Sequence, residues 1–364
     1  MLNKFKPILI LLAVLAALCV ALAAVAVVNN IRRGEEEETP TNEQNQVVVM
    51  QVDSASINYL NYTHDNDGDG NAEELEFVVG SDNLTWYWQE NTKLKLTQGI
   101  IATFASNLNG ITSTQTFKNV SDEQLRKFGF DAPSKYVTVG DKINGRQSLT
   151  FGAYNSYNDC YYVYRNDDKA TVYMISSDIF TGLETSVESF AHLDTFPEIS
   201  EDGLVSISYK DGEREVVCRF IQPEAGNTAE GTWERSVNGG EFVPVPAELS
   251  HLLTAHVTGM EYLSCSTVYA DKLSDYGFEV TDDGILGKAE LTVNYRTLER
   301  IWDEEKQEVI KEWTDETFTI KLGGLNSYNY YYVNPENTAI SVILGGVSYY
   351  KVFMLTDAEL AAEK

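Results

Sequence analysis

The chain has 364 residues, 43% of them apolar, with 27 basic against 55 acidic side chains and a formal net charge of −28. Lys4, Lys6, Arg32 and Arg33 are the only charged side chains before Gly34, so residues 34–364 carry 23 basic and 55 acidic groups, or −32. That length suits about two domains with sizeable cores, and a body so acidic is repelled by phosphate backbones, which argues against nucleic acid and favours cations or a basic protein surface.

Pro7 to Val28 is an uninterrupted run of 22 residues without a charge. As a helix it would measure roughly 33 Å against a hydrocarbon core of about 30 Å. Residues 1–33 are therefore expected to hold a short cytoplasmic start and a transmembrane anchor, with residues 7–28 in the membrane. Lysines precede the run and arginines follow it, so the charge rule orients it weakly. The large acidic body argues for an amino terminus inside and a body outside the cytoplasm. The alternative is a cleaved signal peptide, with Ala21-Leu22-Ala23 or Ala24-Val25-Ala26 as the small-residue site. Leu18 before Cys19 is too large for a lipoprotein site. Beyond the membrane the cysteines are Cys160, Cys218 and Cys265, an odd number that suggests buried thiols and no disulfide framework.

Residues 34–46 are acidic and without apolar periodicity, as in a flexible linker. A first unit is expected over 47–198. Ile57–Tyr62, Leu75–Val79 and Leu84–Gln89 read as strands, the last carrying Trp86 and Trp88. A helix should follow, capped by Thr97, with Ile101, Phe104, Leu108 and Ile111 on one face and Gly110 as its stop. Ser121-Asp122-Glu123-Gln124 is a capping box and opens a short helix, Leu125 to Phe128, closed by Gly129. Strands recur at Tyr136–Val139, Ser148–Phe151, Tyr161–Tyr164 and Thr171–Ile175, and Ser177 to Glu184 suits a closing helix.

A second unit, expected over 199–358 with a tail at 359–364, repeats this order. Leu204–Tyr209 and Glu215–Ile221 are strands, and Gly231-Thr232-Trp233-Glu234 matches the tryptophan strand. Pro246 suits the first turn of a helix reaching Val257, with Gly259 beyond it. Its apolar face is Leu249, Leu252, Leu253, Val257 and Met260. Leu273-Ser274-Asp275-Tyr276-Gly277-Phe278 answers Leu125-Arg126-Lys127-Phe128-Gly129-Phe130. Phe151 to Asn158 and Leu322 to Asn329 share an Asn-Ser-Tyr-Asn core, each soon followed by a tyrosine-rich strand. Gly129 to Gly152 is 23 residues and Gly277 to Gly323 is 46. The extra length suits a long charged hairpin insertion near 296–317, with Trp302 and Trp313 on its arms and charges that blunt its edges. It reads either as a solvated arm or as a partner-docking one. The expected fold class is α+β: two tandem duplicated units, mainly antiparallel β-sheet with one amphipathic and one short helix each, behind an N-terminal transmembrane helix.

In these features the chain resembles the bacterial "domain of unknown function 4340" family over about residues 50–355. The matching features are the Trp86/Trp88 and Trp233 strands, the amphipathic helix after each, Leu-x-x-Phe/Tyr-Gly-Phe at Leu125–Phe130 and Leu273–Phe278, and Asp131-Ala132-Pro133. The strands ending in Gly152 and Gly323 complete the pattern. The second unit lacks the proline and carries the insertion. The resemblance implies an N-terminal anchor, an extracytoplasmic body, and an accessory role beside ABC-transporter and gliding-motility-type components. It brings no established catalytic residues.

The sharpest chemical motif runs from Asp65 to Glu76 and fits the calcium-loop spacing D-x-D-x-D-G-x5-E. Carboxylates at alternate positions converge as the chain coils, the glycine allows the turn, and a late glutamate closes the shell. The candidate ligands are Asp65, Asp67, Asp69, Asn71, Glu73 and Glu76, with Ca2+ as the only cofactor suggested. The same composition also suits a metal-free acidic turn. Asn155, Tyr157, Asn158, Asn326, Tyr328 and Asn329 are candidates for binding a glycan or peptide by hydrogen bonding and stacking, or simply form turns. Catalytic signals are poor. His251 and His256 are five apart on one helix, where joint ligands lie three or four apart. No G-x-S-x-G occurs, and Gly140 to Gln147 lacks the Gly-Lys-Ser/Thr of a phosphate loop. The sequence therefore points to a single-pass membrane protein that acts as an extracytoplasmic interaction or accessory module with a protein partner, which the resemblance implies is found among transport components. The alternative is a glycan- or peptide-binding module, and an enzyme ranks last.

Overall fold

A computed structural model describes residues 46–65, 72–133, 135–223, 230–303, 308–335 and 341–363. The expected anchor and all but the last residue of the acidic linker lie outside the described residues. Among those described, no helix is long and apolar enough to cross a membrane.

The first part of the chain forms β1 (Val48–Met50), β2 (Ile57–His64), β3 (Glu73–Val79), β4 (Trp86–Trp88), α1 (Gln98–Asn107), β5 (Ile111–Thr112), β6 (Gln115–Lys118), α2 (Asp122–Lys127), β7 (Lys135–Asp141), β8 (Gly145–Asn155), β9 (Cys160–Arg165), β10 (Asp168–Ser176) and α3 (Ser177–Gly182). The remainder forms β11 (Leu204–Lys210), β12 (Glu215–Ile221), β13 (Thr232–Val237), β14 (Val243–Pro244), α4 (Ala247–Thr258), β15 (Tyr262–Thr267), a 3-10 segment at Ala270–Tyr276, β16 (Glu279–Thr281), β17 (Gly284–Leu286), β18 (Ala289–Asp303), β19 (Glu308–Leu325), β20 (Tyr331–Asn334), β21 (Ser341–Leu344), α5 (Val347–Met354) and α6 (Asp357–Ala362). The fold is α+β and rich in antiparallel sheet. One sheet has eight strands in the order β4-β3-β2-β7-β8-β9-β10-β6, another nine in the order β14-β13-β12-β11-β18-β19-β20-β21-β15, and two small ribbons pair β1 with β5 and β16 with β17.

The described residues fall into two compact units: one holds Phe104–Glu184 with the described chain before Leu75, the other Leu75–Thr103 and Thr185–Lys364. In the first, alternation along the strands buries Leu60, Tyr62, Val137, Val139, Leu149 and Phe151 completely. Phe180 of α3 stacks on Tyr161 at 4.1 Å. Asn166 and Asp167, between β9 and β10, both have positive φ, the pairing that two-residue hairpins demand. Lys135 is buried, and its ammonium reaches the Leu183 carbonyl at 3.2 Å and the Glu184 carboxylate. It thus caps the carbonyl end of α3 and lies over the Phe180 ring.

In the second unit Trp233, Leu253, Val257, Val293, Leu322 and Phe353 are fully buried in one core. Arg235 is also fully buried. Its guanidinium donates to the carbonyls of Val352 (2.8 Å) and Leu355 (2.9 Å) and pairs with Asp357, joining the end of α5 to the start of α6. Bonds of this kind satisfy carbonyls that a helix end leaves without partners.

One turn is built twice. After α2, Gly129 (φ +83°) donates to the Arg126 carbonyl at 3.0 Å, and Phe130 to Leu125 at 3.0 Å. After the 3-10 segment, Gly277 (φ +87°) donates to Ser274 at 3.1 Å, and Phe278 to Leu273 at 3.2 Å. Each turn then lies against a strand glycine. A Cβ at Gly152 would sit 2.3 Å from the Phe128 carbonyl oxygen, and one at Gly323 would sit 2.3 Å from that of Tyr276.

Several expectations change in detail. The capping box at Ser121 is present, but α2 starts at Asp122, where the box places it. Ile111 does not extend the face of α1: Gly110 (φ +73°) ends the helical region and Ile111 enters β5. Ala105 is fully buried on the α1 face instead. Leu252, expected on the apolar face of α4, is 43% exposed, because 100° per residue carries it past the edge of the buried stripe. Leu273 to Tyr276 closes a 3-10 segment, where its counterpart is α-helical.

Candidate functional site

The expected charged hairpin is the continuation of β18 and β19. Their ladder runs without a break from Ala289↔Leu322 to Asp303↔Glu308. β11 accompanies β18 only as far as Tyr295, and β20 accompanies β19 from Lys321 onward. Residues 296–303 and 308–315 therefore form a two-stranded ribbon. Alternation and register put Leu298, Arg300, Trp302, Val309, Lys311 and Trp313 on one of its faces, as the direct pairs Leu298↔Trp313, Arg300↔Lys311 and Trp302↔Val309. All six are exposed, with Trp302 at 56% and Trp313 at 44%. The chain's other tryptophans, Trp86, Trp88 and Trp233, are buried. At the base of the ribbon Arg296 is tied to Asp315 at 2.7 Å.

The Asn-Ser-Tyr-Asn segments are turns with exposed tyrosines. In the first, the Asn155 side-chain oxygen accepts from the Tyr157 and Asn158 amides, and its nitrogen donates to the Tyr162 hydroxyl at 2.9 Å. The left-handed residue here is Asp159, while in the second turn it is Asn329. The Asn326 oxygen accepts from the Tyr328 and Tyr330 amides. Asn155 and Asn326 therefore spend those oxygens on the backbone of their own loops. Tyr157 is 93% and Tyr328 74% exposed.

Of the candidate calcium ligands, Asp67, Asp69 and Asn71 lie outside the described residues. Asp65 follows β2, and Glu73 and Glu76 are half-buried in β3 on opposite faces of the strand, with Leu75 buried between them. Glu74, which the spacing did not select, accepts from the Asn61 amide at 2.6 Å.

His64, His192 and His251 each approach a carboxylate, those of Glu184 (3.7 Å), Asp194 (3.4 Å) and Glu230 (3.1 Å). Burial pushes His256 below its usual range. Among the described residues no group of three or more His, Cys, Asp or Glu side chains is placed to hold a metal. Cys160, Cys218 and Cys265 are free thiols, as expected. Burial drives Cys218 and Cys265 up to about 12, which keeps them protonated and unreactive.

The sequence did not reveal an open cleft of about 550 Å³ between β4 and the start of α1, lined by Trp86, Leu94 and Leu96 with Lys93, Lys95 and His192. Lys95 and His192 both approach Asp194, at 3.1 and 3.4 Å. Its only signal in the sequence was the tryptophan strand followed by a helix start.

A family model described as "Domain of unknown function (DUF4340)" matches residues 86–279, more than half of the chain. No curated protein and no solved structure matches.

Proposed function

The chain belongs to the DUF4340 family of domains of unknown function, and from that premise we propose a duplicated, membrane-anchored module whose body lies outside the cytoplasm and docks a protein partner. The accessory role beside an ABC-type transport system is the one the family resemblance implies. The observation that carries the docking function is the ribbon at 296–315. It leaves two tryptophans in solvent although the same sheets bury three, and exposed aromatics of this kind are the usual anchors of an interface.

Duplication is supported by strand order. Pairing β4, β3, β2, β7, β8, β9, β10 and β6 with β13, β12, β11, β18, β19, β20, β21 and β15 gives one sequence of neighbours, to which the second sheet adds β14. The twin glycine turns fit the same pairing. It also locates the extra residues. Lys135 and Ala289 hold the same register beside Gly152 and Gly323, and 17 positions separate the first pair but 34 the second. The ribbon thus takes 17 of the 23 additional residues, and the rest fall in the β16–β17 hairpin. Membrane-extracted full-length chain, purified by a tag, should retain components of an export system. Recovery of the chain alone under mild detergent would sink the docking function.

The second reading, a glycan or peptide ligand, is favoured by the exposure of Tyr157 and Tyr328 at the tips of matching loops. The acidic loop from Asp65 to Glu76 is proposed as a calcium site of extracellular type. Calcium would then stabilise the fold by about 2.7 kcal/mol at a hundredfold excess over Kd, and Asp67→Ala would remove most of that gain. Calorimetric titration with a parallel melting curve decides it. Neither heat nor a melting shift at millimolar calcium would leave only an acidic turn.

A further inference from the structure

We propose that the exposed face of the β18–β19 ribbon is a docking surface for a polypeptide segment that alternates acidic and bulky apolar side chains. The proposal rests on the docking reading above and adds the partner's chemistry. Three observations carry it. First, Leu298, Trp302, Val309 and Trp313 are 44%, 56%, 58% and 44% exposed on one face. A two-stranded ribbon gains little by folding alone, so the side chains that would stabilise it are presented outward. Second, the only charged residues on that face between Leu298 and Trp302 and their ladder partners are Arg300 and Lys311, which stand directly opposite each other. A chain of net charge −28 places two like charges side by side there, an arrangement that costs stability until an anion lies across it. Third, the other face carries Glu299 and Glu312 at the next pair, so the positive character belongs to the tryptophan face alone.

The surroundings select the occupant. An anionic lipid surface would face the whole body, whose net charge of −28 it repels, whereas a single segment meets this face alone. A second copy docked face to face about a twofold axis would bring Arg300 and Lys311 against themselves. An acidic, apolar segment meets both requirements: its carboxylates span the Arg300–Lys311 pair, and its apolar side chains cover Trp302 and Trp313.

The test uses the full-length chain in detergent and a random library of displayed dodecapeptides. Selection should enrich peptides in which Asp or Glu alternates with Leu, Ile, Phe or Trp. The best of them, made synthetically, should protect the exposed tryptophans from acrylamide quenching, because Trp86, Trp88 and Trp233 are already buried. Arg300→Glu with Lys311→Glu should weaken binding at least tenfold, and Trp302→Ala with Trp313→Ala should do the same. All four side chains are exposed, so both variants should melt as the parent does. Basic consensus peptides, or binding unchanged in both variants, would overturn the proposal while leaving docking elsewhere on the body intact. Tight binding of phosphatidylglycerol vesicles through the same tryptophans, or arm-dependent dimerisation in light scattering, would also overturn it. A selection that enriches nothing removes this surface, and the purification of the full-length chain from membranes still judges the wider reading separately.

Discussion

At Asp141 four hydrogen bonds converge on one buried carboxylate, from the amides of Asp53 (2.8 Å), Ile143 (2.7 Å) and Asn144 (2.5 Å) and the Asn144 side chain (3.0 Å). Burial alone would raise its pKa, but the bonds from Asn144, Asp53 and Ile143 outweigh burial and bring it to about 2. A depressed carboxylate stabilises the fold fully above its unfolded value near 4 and loses that contribution as pH falls through about 2. Asp141→Asn should therefore cost about 1–2 kcal/mol at neutral pH. Melting curves of parent and variant should converge between pH 4 and pH 2. Curves that stay parallel throughout would contradict the assigned role. Gly152 and Gly323 answer to sterics instead of charge. Alanine at either would push a methyl to 2.3 Å from a carbonyl oxygen, and each substitution should cost about 2–3 kcal/mol in urea unfolding. If either alanine variant unfolds at the parent's midpoint, the close approach does not hold that turn against its strand. In the sequence both glycines stood out only through the repeated spacing. The contacts that make them obligatory, Gly152 on Phe128 and Gly323 on Tyr276, join positions distant in the chain and leave no local pattern.

Elements with a strong period were legible. Trp86–Trp88, Tyr161–Tyr164 and the β18–β19 hairpin follow from alternation, and α2 follows from its capping box. Short elements whose partners are remote were not. β6 (Gln115–Lys118) buries only Thr116 fully, and its partner β10 comes after three further strands. α5 was missed because its final carbonyls are completed by the guanidinium of Arg235, which belongs to β13, far upstream in the chain, whereas α6 opens on a capping box, Thr356 to Glu359, that stood unread in the sequence. The ribbon was visible in outline, but its tryptophan face depended on register, which pairs Trp302 with Val309 and Leu298 with Trp313. Replacing residues 296–315 by an Asn-Gly turn between Tyr295 and Glu316 should leave the sheet intact, because Asn-Gly favours a two-residue hairpin. The melting temperature should move by no more than about 3 °C, since an isolated ribbon adds little. A fall above about 10 °C would mean that the arm belongs to the core.

For the whole molecule the governing quantity is charge, with 55 acids against 27 bases. The proposed orientation, body outside and residues 1–6 inside, predicts that protease added to cells stripped of their wall digests the body to small fragments. A body fully protected until the cells are lysed would reverse the orientation. Chain order supplies a different consequence. In the first sheet Lys118 pairs with Thr171, and in the second Thr267 pairs with Ser341. At synthesis rates of about 5–20 residues per second, β6 waits roughly 3–10 s for its neighbour and β15 roughly 4–15 s. Each strand must be held in place, or kept from foreign edges, while the ribosome finishes the hairpins that close over it. A chain stalled just short of Ser341 would carry every strand of its second sheet except the one that seats β15.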